Sequence, residues 1–148
     1  MTNITFVAKG DLFESKYQTI TNAINCLGIS GAGIAKIFKS KFPDMADDYE
    51  LKCSNEEVKI GEPYLFKESI PWVLMFPTKD NWKFPSKLIY IEKGLDYLVN
   101  HYQEWGIESL SMPALGCGKG GLNFQDVLPI MTKYLSQMNI PIEIYEPL

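Results

Sequence analysis

The sequence predicts an α/β domain: a mixed sheet with helices on both faces. Three observations lead there. Segments with strand patterning alternate with segments of helical periodicity along the chain. Two glycine-rich loops each follow a strand segment and precede a helix segment. The composition is that of a packed globular protein, with 148 residues, 46% hydrophobic and 22% charged. Domains commonly hold about 100–150 residues, so one domain over 1–148 is expected.

The elements read as follows. Ile4–Val7 is a first strand segment, and residues 19–24 a second that ends in Asn25. Gly28–Gly33 is a turn, and a helix is expected from near Ile34 to Phe42. Pro43 suits the start of a second helix, PDMADDYELKC, with acidic residues early, where the helix dipole favours them. Gly61-Glu62-Pro63 marks a turn. Tyr64–Phe66 and residues 72–76 pattern as strands, and residues 77–84 as a loop. A long helix is expected from Ser86, as N-cap, to Trp105. Leu88, Ile91, Leu95, Leu98, Val99 and Tyr102 form its inward stripe, and Gly106 its C-terminal cap. Residues 109–112 make the next strand and residues 113–122 the second glycine-rich loop. Asn123 caps a last helix whose inward positions are Phe124, Val127, Leu128, Met131, Leu135 and Met138. Residues 142–145 close as a strand.

Composition excludes several function classes. No apolar run approaches the roughly 18 residues of a membrane span, and Met1–Gly10 lacks secretory-signal patterning, so a cytoplasmic protein without membrane contact is expected. Three widely spaced cysteines and one histidine fit no zinc site, disulfide framework or Cys-x-x-Cys redox motif. No metal or cofactor is expected. The acidic group Asp44, Asp47, Asp48 and Glu50 reads as a solvated helix face. Every one of the 14 basic residues is lysine. A bound phosphate would therefore meet backbone N–H groups and lysines rather than a guanidinium fork. The net charge of −4 disfavours broad nucleic-acid binding, which leaves that role to a local lysine cluster.

The two loops carry the chemistry. They are Asn25-Cys26-Leu27-Gly28-Ile29-Ser30-Gly31-Ala32-Gly33-Ile34 and Pro113-Ala114-Leu115-Gly116-Cys117-Gly118-Lys119-Gly120-Gly121-Leu122. Ligands of α/β sheets bind outside the carboxyl ends of strands, and glycine lets backbone N–H groups approach a phosphate at a helix start. Either loop alone reads equally as a tight turn. Together they suit a diphosphate held between them. Neither loop carries a P-loop or dinucleotide-binding signature.

Lys9-Gly10-Asp11-Leu12, Asn22-Ala23-Ile24-Asn25 leading into Gly31-Ala32-Gly33-Ile34-Ala35, and Pro113-Ala114-Leu115-Gly116-Cys117-Gly118 together resemble a macrodomain, over nearly the whole chain. Phe76-Pro77-Thr78-Lys79, Trp82, Pro85-Ser86 and Gly118-Lys119-Gly120-Gly121-Leu122 are most similar to the branch of the human terminal ADP-ribose protein glycohydrolase and the DarG-type antitoxins. The latter remove ADP-ribose from thymidine in single-stranded DNA. The resemblance implies a three-layer macrodomain fold and an ADP-ribosyl glycohydrolase acting on modified DNA. It also implies a toxin ADP-ribosyltransferase as counterpart. Other readings are hydrolysis of ADP-ribosyl esters on protein Glu or Asp, a non-catalytic reader, and hydrolysis of free derivatives such as ADP-ribose 1″-phosphate.

The resemblance also implies site residues. Asp11 and the Leu12 N–H would meet adenine, with Tyr145 bordering it. Gly31, Ala32, Gly33 and Ile34, with Leu115, Gly116, Cys117, Gly118, Lys119 and Gly120, would hold the diphosphate and distal ribose, with Thr78 alongside. Asn25 would orient that ribose and Lys79 would attack its anomeric carbon, which requires an uncharged amine. Read from residues alone, Asp11 is a turn cap, Tyr145 core-edge packing and Lys79 a solvated loop charge. Where the human enzyme has Leu-Asp after Gly-Cys-Gly, this chain has Lys119-Gly120. Asp80, bound water or the substrate's phosphate is left to resolve a lysyl intermediate. A second macrodomain hydrolase branch places an acidic residue where this chain has Ala35-Lys36. Lys79, Trp82, Lys83, Phe84 and Lys87 interleave charge and rings as single-strand binders do, though the rings also suit anchoring the loop to the core. A Cys117–His101 thiol enzyme is disfavoured, since His101 lies mid-helix.

Overall fold

The computed structural model describes residues 3–147. Six strands form one sheet: β1 (Ile4–Val7), β2 (Thr19–Asn25), β3 (Tyr64–Phe66), β4 (Trp72–Lys79), β5 (Leu110–Pro113) and β6 (Ile142–Tyr145), in the order β1-β6-β5-β2-β4-β3. Every neighbouring pair is parallel except β3–β4. Helices α1 (Gly33–Lys41) and α2 (Pro43–Ser54) cover one face, and α3 (Leu88–Trp105) and α4 (Phe124–Leu135) the other.

Strand β4 shows why three layers form. Val73 and Met75 pack with Phe38 of α1 and with Met45, Ala46 and Tyr49 of α2. Leu74 and Phe76 pack with Ile91, Leu95 and Leu98 of α3 and with Val127, Met131 and Leu135 of α4. A strand covered on both faces reads as a continuous apolar run, as this one does. Helix α3 approaches β4 so closely at Gly94 that any Cβ there would overlap the Phe76 ring.

The alternation of strands and helices is as the sequence predicts, with three differences. A short 3-10 turn, Leu12–Glu14, sits between β1 and β2. β4 runs on through Pro77 to Lys79 instead of stopping at Phe76. β3 pairs only with Val73–Met75, so beyond them β4 has no neighbour on that side, and a missing N–H is tolerated there. Ser86 does not cap α3. The cap position is Lys87, whose side chain has no acceptor to offer, and the Ser86 N–H instead donates to the Gly120 carbonyl at 2.9 Å. Asn123 does cap α4, with Oδ1 accepting from Gln125 N–H at 3.2 Å. Gly106 closes α3 at φ 80°.

Candidate active site

Five parallel strands end at one edge of the sheet. In sheet order, β1 leads to Asp11 and Leu12, β6 ends at Tyr145, and β5 opens the loop 114–122. Next, β2 ends at Asn25 and opens the loop 26–32, and β4 ends at Lys79. Strands lie about 4.8 Å apart, so the row from β1 to β4 is roughly 19 Å long. Such a row fits an elongated ligand laid across the strand ends.

The β2–β4 ladder slips at its last step. Ile24 pairs with Pro77 but Asn25 pairs with Lys79, leaving Thr78 as the extra residue of a bulge. Bulges re-aim side chains next to functional sites. Here one sets Asn25 and Lys79 side by side, with the Cys26 N–H donating to the Lys79 carbonyl at 3.1 Å. Lys79 is half-buried at the end of a strand, not in a loop, and its Nζ donates to the Trp82 carbonyl at 3.2 Å. Thr78 is buried, with its hydroxyl 3.5 Å from the Ile24 carbonyl. Lys83 and Lys87 lie over their own rings, Trp82 at 5.6 Å and Tyr90 at 5.7 Å.

Asn25 organises the first loop. Its Oδ1 accepts from Leu27 N–H at 3.0 Å and Ile29 N–H at 3.3 Å, and its Nδ2 donates to the Ile29 carbonyl at 2.7 Å. The second Nδ2 hydrogen has no acceptor among the described residues. Tyr49, fully buried on α2, shares its hydroxyl hydrogen between the Asn25 carbonyl at 2.7 Å and Oδ1 at 3.0 Å. Burial drives the Tyr49 phenol well above its ordinary value, so it stays a donor. Sequence reasoning missed Tyr49. On a helix read as acidic and solvated, a single buried hydroxyl leaves no pattern.

Both loops present unpaired backbone donors. Among the described residues, the N–H groups of Gly31, Ala32, Gly33 and Ile34, and of Gly118, Lys119 and Gly120, have no acceptor. The first set opens α1, whose N-cap, Ala32, offers no side-chain bond and whose first turn holds no acid. Unpaired N–H groups with a helix dipole behind them form an anion site. In the second loop Leu115 is buried and Gly116 adopts φ 74°. A Cβ on Gly120 would overlap the Gly116 carbonyl and come within 2.6 Å of Ser86 Oγ. No side chain fits there, so an aspartate at position 120 is excluded by shape. Ser86, buried with an unpartnered hydroxyl, forms the floor of this loop.

The other end of the row is polar. Asp11 caps the 3-10 turn, its Oδ1 accepting from Phe13 N–H at 2.9 Å, and its carboxylate remains exposed. Leu12 is buried in the core below. Tyr145 is half-buried, its hydroxyl 3.4 Å from Glu143 Oε1, and a Cβ on Gly10 would lie 3.1 Å from its ring. Glu143 also accepts from Ser15 and Ser111 at 2.9 and 2.7 Å, which fastens the segment after Asp11 to β5 and β6.

The surroundings of the thiols favour their neutral form. Burial pushes Cys117 up to about 11, and burial, then the Asp80 charge, pushes Cys26 up to about 12. Cys117 Sγ lies 3.5 Å from the Leu115 carbonyl, while His101 bonds the Tyr97 carbonyl at 2.7 Å and stacks on the Tyr97 ring. Each is engaged elsewhere. Among the described residues, no group of three or more His, Cys, Asp or Glu side chains is arranged to hold a metal ion, and no helix is long and apolar enough to cross a membrane.

Comparison with known proteins adds three findings. The Macro domain family model matches residues 21–131. The "DNA ADP-ribosyl transferase-DNA ADP-ribosyl glycohydrolase fusion protein" of Thermosipho africanus is 39% identical over 99% of this chain and 42% of its own. Among solved structures, Thermosipho africanus DarTG in complex with ADP-ribose superposes with TM-score 0.94 at 41% identity, covering 100% of this chain and 42% of that one. The macrodomain of Mycobacterium tuberculosis DarG does so with TM-score 0.86 at 34% identity, covering 97% and 99%. The chain thus spans about two fifths of the length of the curated relatives it matches at 33–39% identity.

Proposed function

The chain belongs to the Macro domain family, and from that premise we propose that it is a DNA ADP-ribosyl glycohydrolase. Its substrate is ADP-ribose attached to thymidine in single-stranded DNA. Residues 1–148 act as one macrodomain in the cytoplasm, where the DNA is. The observation that carries the reading is the Asn25–Lys79 pairing at the strand ends, beside two loops of unpaired N–H groups. Adenine lies at Asp11, Leu12 and Tyr145. The diphosphate lies between residues 31–34 and 116–120, neutralised by peptide dipoles in a chain without arginine. The distal ribose then reaches the β2–β4 end, where the free Asn25 Nδ2 hydrogen holds a ribose oxygen.

Lys79 Nζ, as the neutral amine, attacks the anomeric carbon. The glycosidic bond to the base breaks, and the base takes its electron pair and a proton. Water then displaces the lysine and leaves with the sugar as free ADP-ribose, so the net reaction consumes one water. Position 120 has no room for the aspartate that would activate this water. Asp80, exposed and next to Lys79 in the chain, a bound water or the substrate's own phosphate accepts the proton of this water. The counterpart that installs the modification is a DNA ADP-ribosyl transferase, in keeping with the relative that joins both activities in one chain.

The test is an oligonucleotide carrying one ADP-ribosylated thymidine, incubated with wild type and Lys79→Ala, with calorimetric binding of free ADP-ribose in parallel. Release by wild type alone, with binding kept by both, is the expected result. Binding without release by either would replace the hydrolase with a reader of ADP-ribose or with a hydrolase of ADP-ribosylated protein.

A further inference from the structure

We propose that the loop 80–87 is a stacking platform for an unpaired DNA strand. Trp82 and Phe84 take the faces of bases beside the modified one, and Lys83 and Lys87 meet the backbone phosphates. The inference rests on the function proposed above and names how the macromolecular part of the substrate is held.

The first observation is exposure. Trp82 is 47% and Phe84 63% exposed, and neither belongs to a core cluster. Anchoring the loop to the core is therefore not their role. Four of the nine exposed large hydrophobics among the described residues, Leu27, Ile29, Trp82 and Phe84, lie on the two loops that leave Asn25 and Lys79. Nearly half of these exposed side chains thus lie around the Asn25–Lys79 end of the site.

The second observation is rigidity. Lys79 Nζ holds the Trp82 carbonyl, Phe84 N–H bonds the Asn81 carbonyl at 3.1 Å, and Lys83 N–H bonds Asn81 Oδ1 at 3.0 Å. Ser86 N–H fastens the far end to Gly120. The rings are thus carried on a hydrogen-bonded turn between Lys79 and the second glycine loop.

The third is charge. Residues 79–87 hold three lysines and one aspartate in a chain of net charge −4. Lysines 83 and 87 rest against Trp82 and Tyr90, each with its ammonium in solvent reach. Aromatic faces with lysines between them match the alternation of base and phosphate in a single strand. A duplex offers no free base faces, so the platform requires unpaired DNA.

The test compares wild type with Trp82→Ala/Phe84→Ala, whose fold is checked by Tm and by the Kd for free ADP-ribose. Two substrates are used, ADP-ribosylated thymidine as a nucleoside and the same group within a 12-mer. The expected loss in kcat/KM on the 12-mer exceeds that on the nucleoside by at least about fivefold, the low end for losing a single base–ring stack. Equal losses on both substrates, or none on the 12-mer, would overturn the platform. A larger loss on an ADP-ribosylated protein than on the 12-mer would overturn it in favour of a protein-docking surface. A second arm needs no turnover: anisotropy of an unmodified single-stranded 12-mer against the same sequence as a duplex. Tighter single-strand binding that disappears in the double variant is expected, with Lys83→Gln/Lys87→Gln lowering the slope of log K against log salt by about 1.4. Single-strand binding in this arm without turnover by wild type would refute the glycohydrolase alone, whereas equal binding by wild type and variant would refute the platform.

Discussion

Tyr49→Phe removes one oxygen and keeps the ring that fills the core between β4 and α2. The perturbation is therefore confined to the hydroxyl shared by the Asn25 carbonyl and Oδ1 at 2.7 and 3.0 Å. Oδ1 keeps its two loop donors, Leu27 and Ile29, so the loop path survives. The carboxamide loses its only side-chain partner among the described residues. Leaving a buried acceptor short of its donor costs about 1–3 kcal/mol, which at this size lowers Tm by about 2–12 °C. If about 1–2 kcal/mol of that misplacement reaches the transition state through the Asn25–ribose contact, kcat falls by about 5- to 30-fold. The assays are urea and thermal unfolding, kcat and KM on the modified oligonucleotide, and calorimetry with ADP-ribose. A fall in kcat with KM and ADP-ribose affinity nearly kept is the expected pattern, because Tyr49 would position Asn25 without touching ligand. Unchanged stability would refute the hydrogen-bond argument. A parallel loss of affinity and kcat would refute the positioning argument.

Two further outcomes follow from the loop geometry and the thiols. Gly120→Ala forces a Cβ against the Gly116 carbonyl and Ser86 Oγ, whereas Gly118→Ala adds one where nothing lies within 4 Å. The first is expected to lose about 1–3 kcal/mol of stability together with ADP-ribose binding, and the second to keep its Tm, both read by thermal shift. With Cys117 and Cys53 raised to about 11 and Cys26 to about 12, all three are neutral thiols at neutral pH. Iodoacetamide labelling of the folded protein at pH 7.5 is expected to be far slower than that of free cysteine. Fast labelling followed by mass spectrometry at any of the three would contradict the burial argument.

The sequence made the layers legible because each element carries its own signal. β4 is an apolar run, α3 has a stripe and a glycine cap, and Asn123 stands before α4. Of the candidate site, the two glycine loops with their unpaired N–H groups were legible, because such backbone demands particular residues. What stayed hidden is long-range. Pro77 reads as a breaker, and only the end of β3 two residues earlier makes it harmless. The bulge at Thr78 has no side-chain signature, yet it decides that Lys79 stands beside Asn25. Ser86 looks like a helix cap because serine before a helix usually is one. Its N–H is instead taken by a loop more than thirty residues away. Asp11 shows that two readings can share one residue, since it caps a turn with one oxygen and leaves its carboxylate exposed.

Helix α1 begins at Ala32 without a side-chain cap. Segments with unsatisfied ends open first, so an unprotected turn lies at the place proposed for the diphosphate. Deuterium uptake at Gly31 to Ile34 should then be quick in the free protein and slow once a phosphate group occupies the turn. The helix start reports on its own occupancy, and a solution exchange profile would read the state of the site without any label or substrate turnover.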